Sequence, residues 1–220
     1  MKKIYFSNKY GLNQAVLDKW KKKTRREIRL PMVADTDKIV MAEIETDWKC
    51  IYKAVFYSYG MEGKEKVCEV ISPYQVGDEV AVAQTYSELR EELVKSDFKR
   101  TDTLYDAFYR ALQFGKACDT DYGWNNKQGV RADLMPHRIR ITHINVERLQ
   151  EISEEDCLCE GVEKWLDCYI VTGIMEHNGK NNVCFNNPRD AFSVLIDKIR
   201  GKGTWQRNPW VFVYSFELIQ

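Results

Sequence analysis

The order of hydrophobic and polar residues along the chain predicts short strands interrupted by helices. Between residues 138 and 149, isoleucine or valine falls at nearly every second position, with one shift of phase near His143, which predicts a long half-buried strand. Shorter apolar or alternating runs predict further strands at about residues 3–7, 25–30, 39–43, 50–57, 80–86, 168–174 and 209–219.

Apolar residues at helical spacing predict three helices, at about residues 10–22, 153–165 and 187–200. The third has clear ends, since Asn187 and Pro188 suit the N-cap and first helical positions and Gly201 suits the residue after the end. Ser153, which precedes three acidic residues, favours the start of the second helix. In that helix Glu160 lies opposite the apolar side, so it is expected to face either solvent or a pocket.

Strands and helices mixed in this order predict an α+β fold, which we expect to be a small β-barrel with peripheral helices. The segment at about 87–130 differs from the rest, because it is strongly charged, then rich in tyrosine and phenylalanine, and then loop-like. We therefore expect one domain over residues 1–220, with a helical and loop insertion at about 87–130.

Charge adds one local feature to this picture. The whole chain has 33 basic and 33 acidic residues, which excludes a uniformly basic nucleic-acid coat protein. Residues 19–29 nevertheless hold seven lysines and arginines against Glu27, a local charge of +6 (7 − 1). One interpretation is a patch that faces phosphates, with Trp20 as a stacking platform. The alternative is a solvated helix end and turn, with Trp20 in the core.

The sequence predicts no membrane contact, no metal and no cofactor. No apolar run is long enough for a transmembrane helix, and the N-terminus lacks the apolar segment of a signal peptide, so we expect a cytoplasmic protein. The seven cysteines include no C-x-x-C pair, which argues against a zinc site and favours buried free thiols in a reducing compartment. These cysteines are Cys50, Cys68, Cys118, Cys157, Cys159, Cys168 and Cys184.

Four motifs in order resemble the ASCH domain family. Lys21-x-x-Thr24-x-Arg26 is similar to its G-x-K-x-x-T-x-R pattern, although Lys19 stands where the family has glycine. The other three motifs are VGDEVAV at 76–82, MPHRIRITHINVERLQEISEEDCLCEGV at 135–162 and GTWQRNPWVFVY at 203–214. The four motifs leave about 35–60 and 87–130 unmatched. The sequence most resembles uncharacterised ASCH proteins of phages and prophages of gut bacteria.

The resemblance implies a PUA-like fold that binds RNA or a modified nucleoside or nucleotide in a cleft between the barrel and the helices. One branch of the family removes the acetyl group from N4-acetylcytidine with a lysine, a threonine three residues later and a glutamate in the helix after the long strand. Lys21, Thr24 and Glu160 match these positions. The resemblance thus leaves two main hypotheses, a binding protein or an amidohydrolase, and a weaker third, a phage accessory protein that binds a host protein.

Each candidate residue has a functional role to test and a structural alternative. Thr24 supplies a hydroxyl as nucleophile or to position water, while Lys21 acts as a base only if neutral, which neighbouring cations favour. A charged Lys21 is instead an oxyanion or phosphate partner. The structural alternative is that Lys21 is one of several solvated lysines and that Thr24 begins a strand or caps a helix. The expected nucleic-acid or nucleotide contacts are Lys19, Lys22, Lys23, Arg25, Arg26, Gln84 and Arg138.

Overall fold

The computed structural model describes residues 1–32, 36–95, 122–176, 179 and 181–219. The chain divides into two compact units. The first unit comprises residues 1–6, 79–140 and 218–220, and the second comprises residues 7–78 and 141–217. Much of the predicted insertion, with its aromatic segment around Tyr105 and Phe108, lies outside the described residues.

Strands and helices are both present in quantity, so the α+β prediction is confirmed. The described strands are β1 (Lys2–Ile4), β2 (Lys23–Glu27), β3 (Met41–Thr46), β4 (Tyr52–Gly60), β5 (Gly63–Ile71), β6 (Glu79–Val82), β7 (Arg138–Arg148), β8 (Glu163–Trp165), β9 (Cys168–Ile170) and β10 (Trp210–Leu218). The described helices are α1 (Leu12–Leu17), α2 (Tyr86–Lys95), α3 (Glu154–Glu160), α4 (Pro188–Arg200) and α5 (Thr204–Arg207).

In the first unit, β1 lies parallel to β6, and β6 pairs in antiparallel fashion with the start of β7. Val80 lies in the middle of these three strands, since it pairs with Lys2 on one side and with Ile139 on the other. Tyr86 and Leu89 of α2 pack with Met135 in a buried cluster next to the sheet. The strand predicted to continue to residue 86 therefore ends at Val82, and α2 begins instead at Tyr86.

In the second unit, the remaining part of β7 lies beside β10, and β10 pairs with β2 in antiparallel register. Two further antiparallel sheets have the orders β3-β4-β5 and β8-β9. The prediction missed β5, in which four of the nine residues are charged and most are exposed. No described strand pairing closes one of these sheets on itself, and the barrel stays a prediction.

Aromatic side chains of β10 form a large part of the second unit's core. Trp210 meets Phe56 edge to face at 5.7 Å between ring centroids, and Tyr214 meets Tyr74 in the same way at 5.2 Å. The Tyr214 hydroxyl is 2.9 Å from Ser72 Oγ, so its polar end is satisfied inside the core. Because β10 is anchored in this way, its neighbour β2 has a fixed position.

The helix that was predicted to reach residue 22 ends at Leu17, and this correction matters for the basic segment. Lys19 has a left-handed backbone, φ 65°, which breaks the helical repeat. The backbone of Lys22 then donates to Cys159 O at 3.0 Å and accepts from Phe216 N at 2.9 Å. The basic segment is therefore a turn followed by a strand, held between the end of α3 and β10.

Gly161 explains why α3 ends before the predicted residue 165. It caps the helix with φ 116°, a conformation that residues with a side chain rarely adopt. A Cβ placed on it would lie 2.2 Å from Leu12 Cδ2 of α1. The glycine thus lets α1 approach the end of α3 closely.

We expect Gly161→Ala to lower the free energy of unfolding by about 2–3 kcal/mol, because it adds a steric overlap to an unfavourable φ. Gly203→Ala is the matched control, since Gly203 also has a left-handed backbone, φ 85° and ψ 3°, but open space around its Cβ position. It is expected to cost about 1 kcal/mol, from the backbone conformation alone. Urea unfolding of both variants measures the difference, and equal losses would contradict the close packing at Gly161.

Candidate functional site

Lys21 is a buried lysine whose three ammonium donors are all used. It lies between α1 and β2 and is 2 % exposed. Its Nζ donates to Glu160 Oε2 at 2.7 Å, to the backbone oxygen of Glu160 at 2.7 Å and to the backbone oxygen of Lys23 at 2.8 Å. The interpretation of Lys21 as a solvated lysine is therefore wrong.

Arg25 is the second buried cation of this site, and its side chain is only 1 % exposed. Its Nη1 donates to Glu160 Oε1 at 3.1 Å, its Nη2 to Asp156 Oδ2 at 2.7 Å and its Nε to Glu147 Oε1 at 2.8 Å. Lys23 adds an ion pair with Asp156 at the more exposed edge. We call this set the ionic cluster: Lys21, Lys23, Arg25, Glu147, Asp156 and Glu160.

Regular secondary structure places the three carboxylates. Asp156 and Glu160 are four residues apart on α3, so both lie on the same helical face, toward β2. Ser153 starts this helix as predicted, since its side chain accepts a hydrogen bond from Asp156 N. Glu147 comes from the end of β7.

Burial and pairing act in opposite directions on the pKa values in the ionic cluster. For Lys21, burial lowers the pKa more than the neighbouring Glu160 carboxylate raises it. For Arg25, burial is outweighed by the carboxylates of Glu160 and Glu147 and by the hydrogen bond to Asp156, so its pKa is raised. Burial raises the pKa of Glu147, whereas hydrogen bonds from Lys23 and Arg25 overcome burial and lower that of Asp156.

The ionic cluster carries three positive and three negative formal charges, so it is neutral as a unit. Removing such charges from water costs several kcal/mol per ion, and a fold of similar stability could use apolar residues instead. Buried, mutually paired ionisable groups occur both in functional sites and in structural ion-pair networks. Chemically, the cluster offers a buried ammonium and a carboxylate in direct contact.

Thr24 lies on β2 between Lys23 and Arg25 and is 5 % exposed. Because side chains alternate along a strand, Thr24 points to the face opposite Arg25, the face of its antiparallel partner Tyr214. Of the three predicted catalytic residues, Lys21 and Glu160 are in direct contact. Thr24 is also buried, and it lies near Lys21 in sequence. The interpretation of Glu160 as a surface residue is wrong, since it is 5 % exposed.

The predicted phosphate-facing patch is smaller than the sequence suggests. Arg25 does not present its charge at the surface, and Lys23 is partly buried against Asp156, because the carboxylates of the ionic cluster draw both inward. Lys19 and Lys22 are exposed, as the phosphate-facing interpretation requires. Arg26 is partly buried. Burial lowers its pKa, and the positive charge of Arg200 lowers it further.

The remaining two predicted nucleic-acid or nucleotide contacts, Gln84 and Arg138, belong to the first unit. Gln84 is 4 % exposed and its Nε2 donates to Glu92 Oε2 at 2.9 Å. The same carboxylate group lies 2.8 Å from His137 Nε2 through its other oxygen. Arg138 is partly buried and pairs through its backbone with Ala81 of β6.

The cysteines depart from the predicted set of buried free thiols. Cys168 and Cys184 form a disulfide, and Cys50 is exposed. Cys157 is fully buried as predicted, and burial raises the pKa of its thiol to about 12. Cys118 lies outside the described residues. Among the described residues, no group of three His, Cys, Asp or Glu side chains is arranged to hold a metal ion, and no helix is long and apolar enough to cross a membrane.

Glu147 and Asp156 complete the ionic cluster, and neither was predicted as a site residue from the sequence. One signal was present, since the +6 charge of residues 19–29 is balanced by −6 elsewhere in the neutral chain. The spacing of Asp156 and Glu160 also places two carboxylates on one helical face. Comparison with protein-family models, with curated proteins and with solved structures finds no match to this chain.

We expect Asp156→Asn to reduce stability near neutral pH by about 2 kcal/mol, because Lys23 and Arg25 lose a charged acceptor. The folded pKa of Asp156 is lowered, so its contribution is present above the unfolded value and is lost as pH falls below about 4. Urea unfolding from pH 7 to pH 2.5 should show the two stability curves converging in acid. A constant difference over this range would contradict the pairing of the Asp156 carboxylate with Lys23 and Arg25. Asp167→Asn, which changes an exposed carboxylate on a turn, is the control.

Proposed function

We propose that this chain has an ASCH-type, PUA-like fold with a small β-barrel and binds RNA or a modified nucleoside in a cleft beside it. The positions of the four motifs in the observed elements support the proposal. The K-x-x-T-x-R motif leads into β2 and the V-G-D motif leads into β6. The third motif starts with M-P just before β7 and finishes with E-G at the end of α3, and the N-P-W motif opens β10. Each motif therefore sits at an element boundary, where such short patterns have a structural role.

The observation that carries the proposal is the buried contact between Lys21 and Glu160. A carboxylate in a water-poor site is a suitable acceptor for the exocyclic amino group of cytosine, and a lysine is a suitable donor to a base carbonyl. Each bond that such a ligand forms replaces one that the ionic cluster makes with itself. A base that offers both a donor and an acceptor therefore fits this pair better than an apolar ligand.

The exposed lysines near this pair in sequence suit a phosphate-bearing ligand. Lys19 and Lys22 flank Lys21 and are both exposed, whereas Lys21 is buried. The charges of Lys19 and Lys22 are thus open to solvent, while the Lys21–Glu160 pair is buried. This arrangement separates phosphate contacts, which add affinity without sequence preference, from contacts to the base.

We expect the double variant Lys19→Gln/Lys22→Gln to weaken binding of single-stranded RNA and to reduce its dependence on salt. Loss of two phosphate contacts should make the slope of log K against log salt less negative by about 1.4. Lys198→Gln/Lys202→Gln, on the exposed end of α4 and the turn after it, changes the net charge equally and is the control. Equal weakening by both double variants would contradict a local RNA site.

A second candidate function is hydrolysis of an acylated base such as N4-acetylcytidine, and the direct Lys21–Glu160 contact favours it. The reaction breaks the amide C–N bond, forms a C–O bond to water-derived oxygen and transfers a proton to the leaving amine. In this proposal the Thr24 hydroxyl either positions water for attack on the acyl carbon or attacks it first and forms an acyl-threonine ester, which water then hydrolyses. Glu160 takes the proton from the attacking oxygen and passes it to the leaving amine, and the Lys21 ammonium stabilises the oxyanion.

We expect wild-type protein to release acetate from N4-acetylcytidine, and Lys21→Met, Glu160→Gln and Thr24→Val to lower kcat by about 10²–10⁴-fold. Thr24→Ser keeps the hydroxyl and should stay within about tenfold of the wild type. Chromatography measures turnover, and circular dichroism confirms that each variant is folded. Full activity of Thr24→Val, or no turnover by the wild type, would contradict this second function without affecting the binding proposal.

A further inference from the structure

Arg25 is bonded to all three carboxylates of the ionic cluster, one from β7 and two from α3. The residue itself lies in the middle of β2, where its backbone pairs with Val213 of β10. Its guanidinium therefore joins three elements through one planar group. The bonds to Asp156 and Glu147, at 2.7 and 2.8 Å, have the length typical of hydrogen bonds between charged groups, and the bond to Glu160 is longer, at 3.1 Å.

Glu160 is held at both carboxylate oxygens by different cations. Oε2 accepts from Lys21 at 2.7 Å and Oε1 accepts from Arg25 at 3.1 Å. The terminal torsion of a glutamate has a broad energy minimum, so one hydrogen bond leaves the plane of the carboxylate free to turn. A second bond at the other oxygen removes that freedom.

We propose that Arg25 is a positioning residue that sets the orientation of Glu160 toward Lys21. Any effect of Arg25 on binding or hydrolysis rests on the proposed function, but its effect on the orientation of Glu160 does not. The planar fork is essential, because each edge of the guanidinium bonds to a different carboxylate. A lysine at this position keeps the charge but does not reproduce that geometry.

The test compares Arg25→Lys and Arg25→Met with Lys23→Met. Lys23 is the matched control, because its ion pair joins the same cluster through Asp156 rather than Glu160. NMR of the lysine side-chain N–H groups at pH 6 follows the Lys21 signal, which is assigned by its loss in Lys21→Met. We expect hydrogen exchange at Lys21 to be at least ~10-fold faster in both Arg25 variants, with the backbone amides of β10 unchanged.

Lys23→Met should leave exchange at Lys21 within about twofold of the wild type. Wild-type exchange in Arg25→Lys, or acceleration that extends equally to β10, would overturn the proposal. If Arg25→Met does not fold, Arg25→Lys alone decides the result. A wild-type Lys21 signal that already exchanges rapidly would also overturn it, because the buried ammonium would then not be held.

A second readout separates positioning from general support of the fold. Where N4-acetylcytidine is hydrolysed, Arg25→Lys should lower kcat by about 10²-fold with KM nearly unchanged, because a misplaced carboxylate impairs the reaction more than substrate binding. Where the wild type binds neither single-stranded RNA nor N4-acetylcytidine and does not hydrolyse the nucleoside, the proposed function fails. The exchange measurement still decides the role of Arg25 in that case.

Discussion

The cost of burying charge determines how the second unit is built around β2. Lys21 and Arg25 are almost fully removed from solvent, and neither is tolerable there without a carboxylate in direct contact. Removing one partner leaves the others uncompensated in a poorly solvating interior. The ionic cluster is therefore a single unit, and the positions of α3 and the end of β7 are tied to that of β2.

Backbone geometry brings these charges together. The left-handed turn at Lys19 ends α1 early and places Lys21 beside the end of α3 instead of on a helix surface. Gly161 permits close approach between α1 and the end of the same helix. Spacing of four residues on α3 then presents Asp156 and Glu160 to one strand. Two local backbone features thus decide where the cluster forms.

Periodicity predicted well those parts of the fold that depend on local sequence. The long alternating strand β7 and the capped helix α4 are present with nearly their predicted bounds, because alternation and the Asn187-Pro188 pair are local signals. The end of α1 was not predictable, since the basic residues after it suit a helix as well as a turn. Only pairing with Cys159 and Phe216, distant in sequence, selects the extended form.

The candidate site was predictable by residue type but not by environment. Lys21 and Glu160 were selected through the resemblance to a family motif, and the structure brings them into contact. Their burial depends on tertiary packing, which a local sequence pattern does not show. The same is true of the hydrogen bonds from Arg25 to Glu160, Glu147 and Asp156. For the same reason the strong basic charge of residues 19–29 suggested a larger surface patch than the fold presents.

The most direct test of the account is a titration of the wild-type protein with N4-acetylcytidine, followed by NMR of threonine methyl groups and lysine side chains. The account predicts saturable shifts at Thr24 and Lys21, with smaller shifts at residues that contact the ionic cluster. Saturable shifts confined to other parts of the chain, or none at millimolar nucleoside, would contradict the claim that this buried pair is the ligand site.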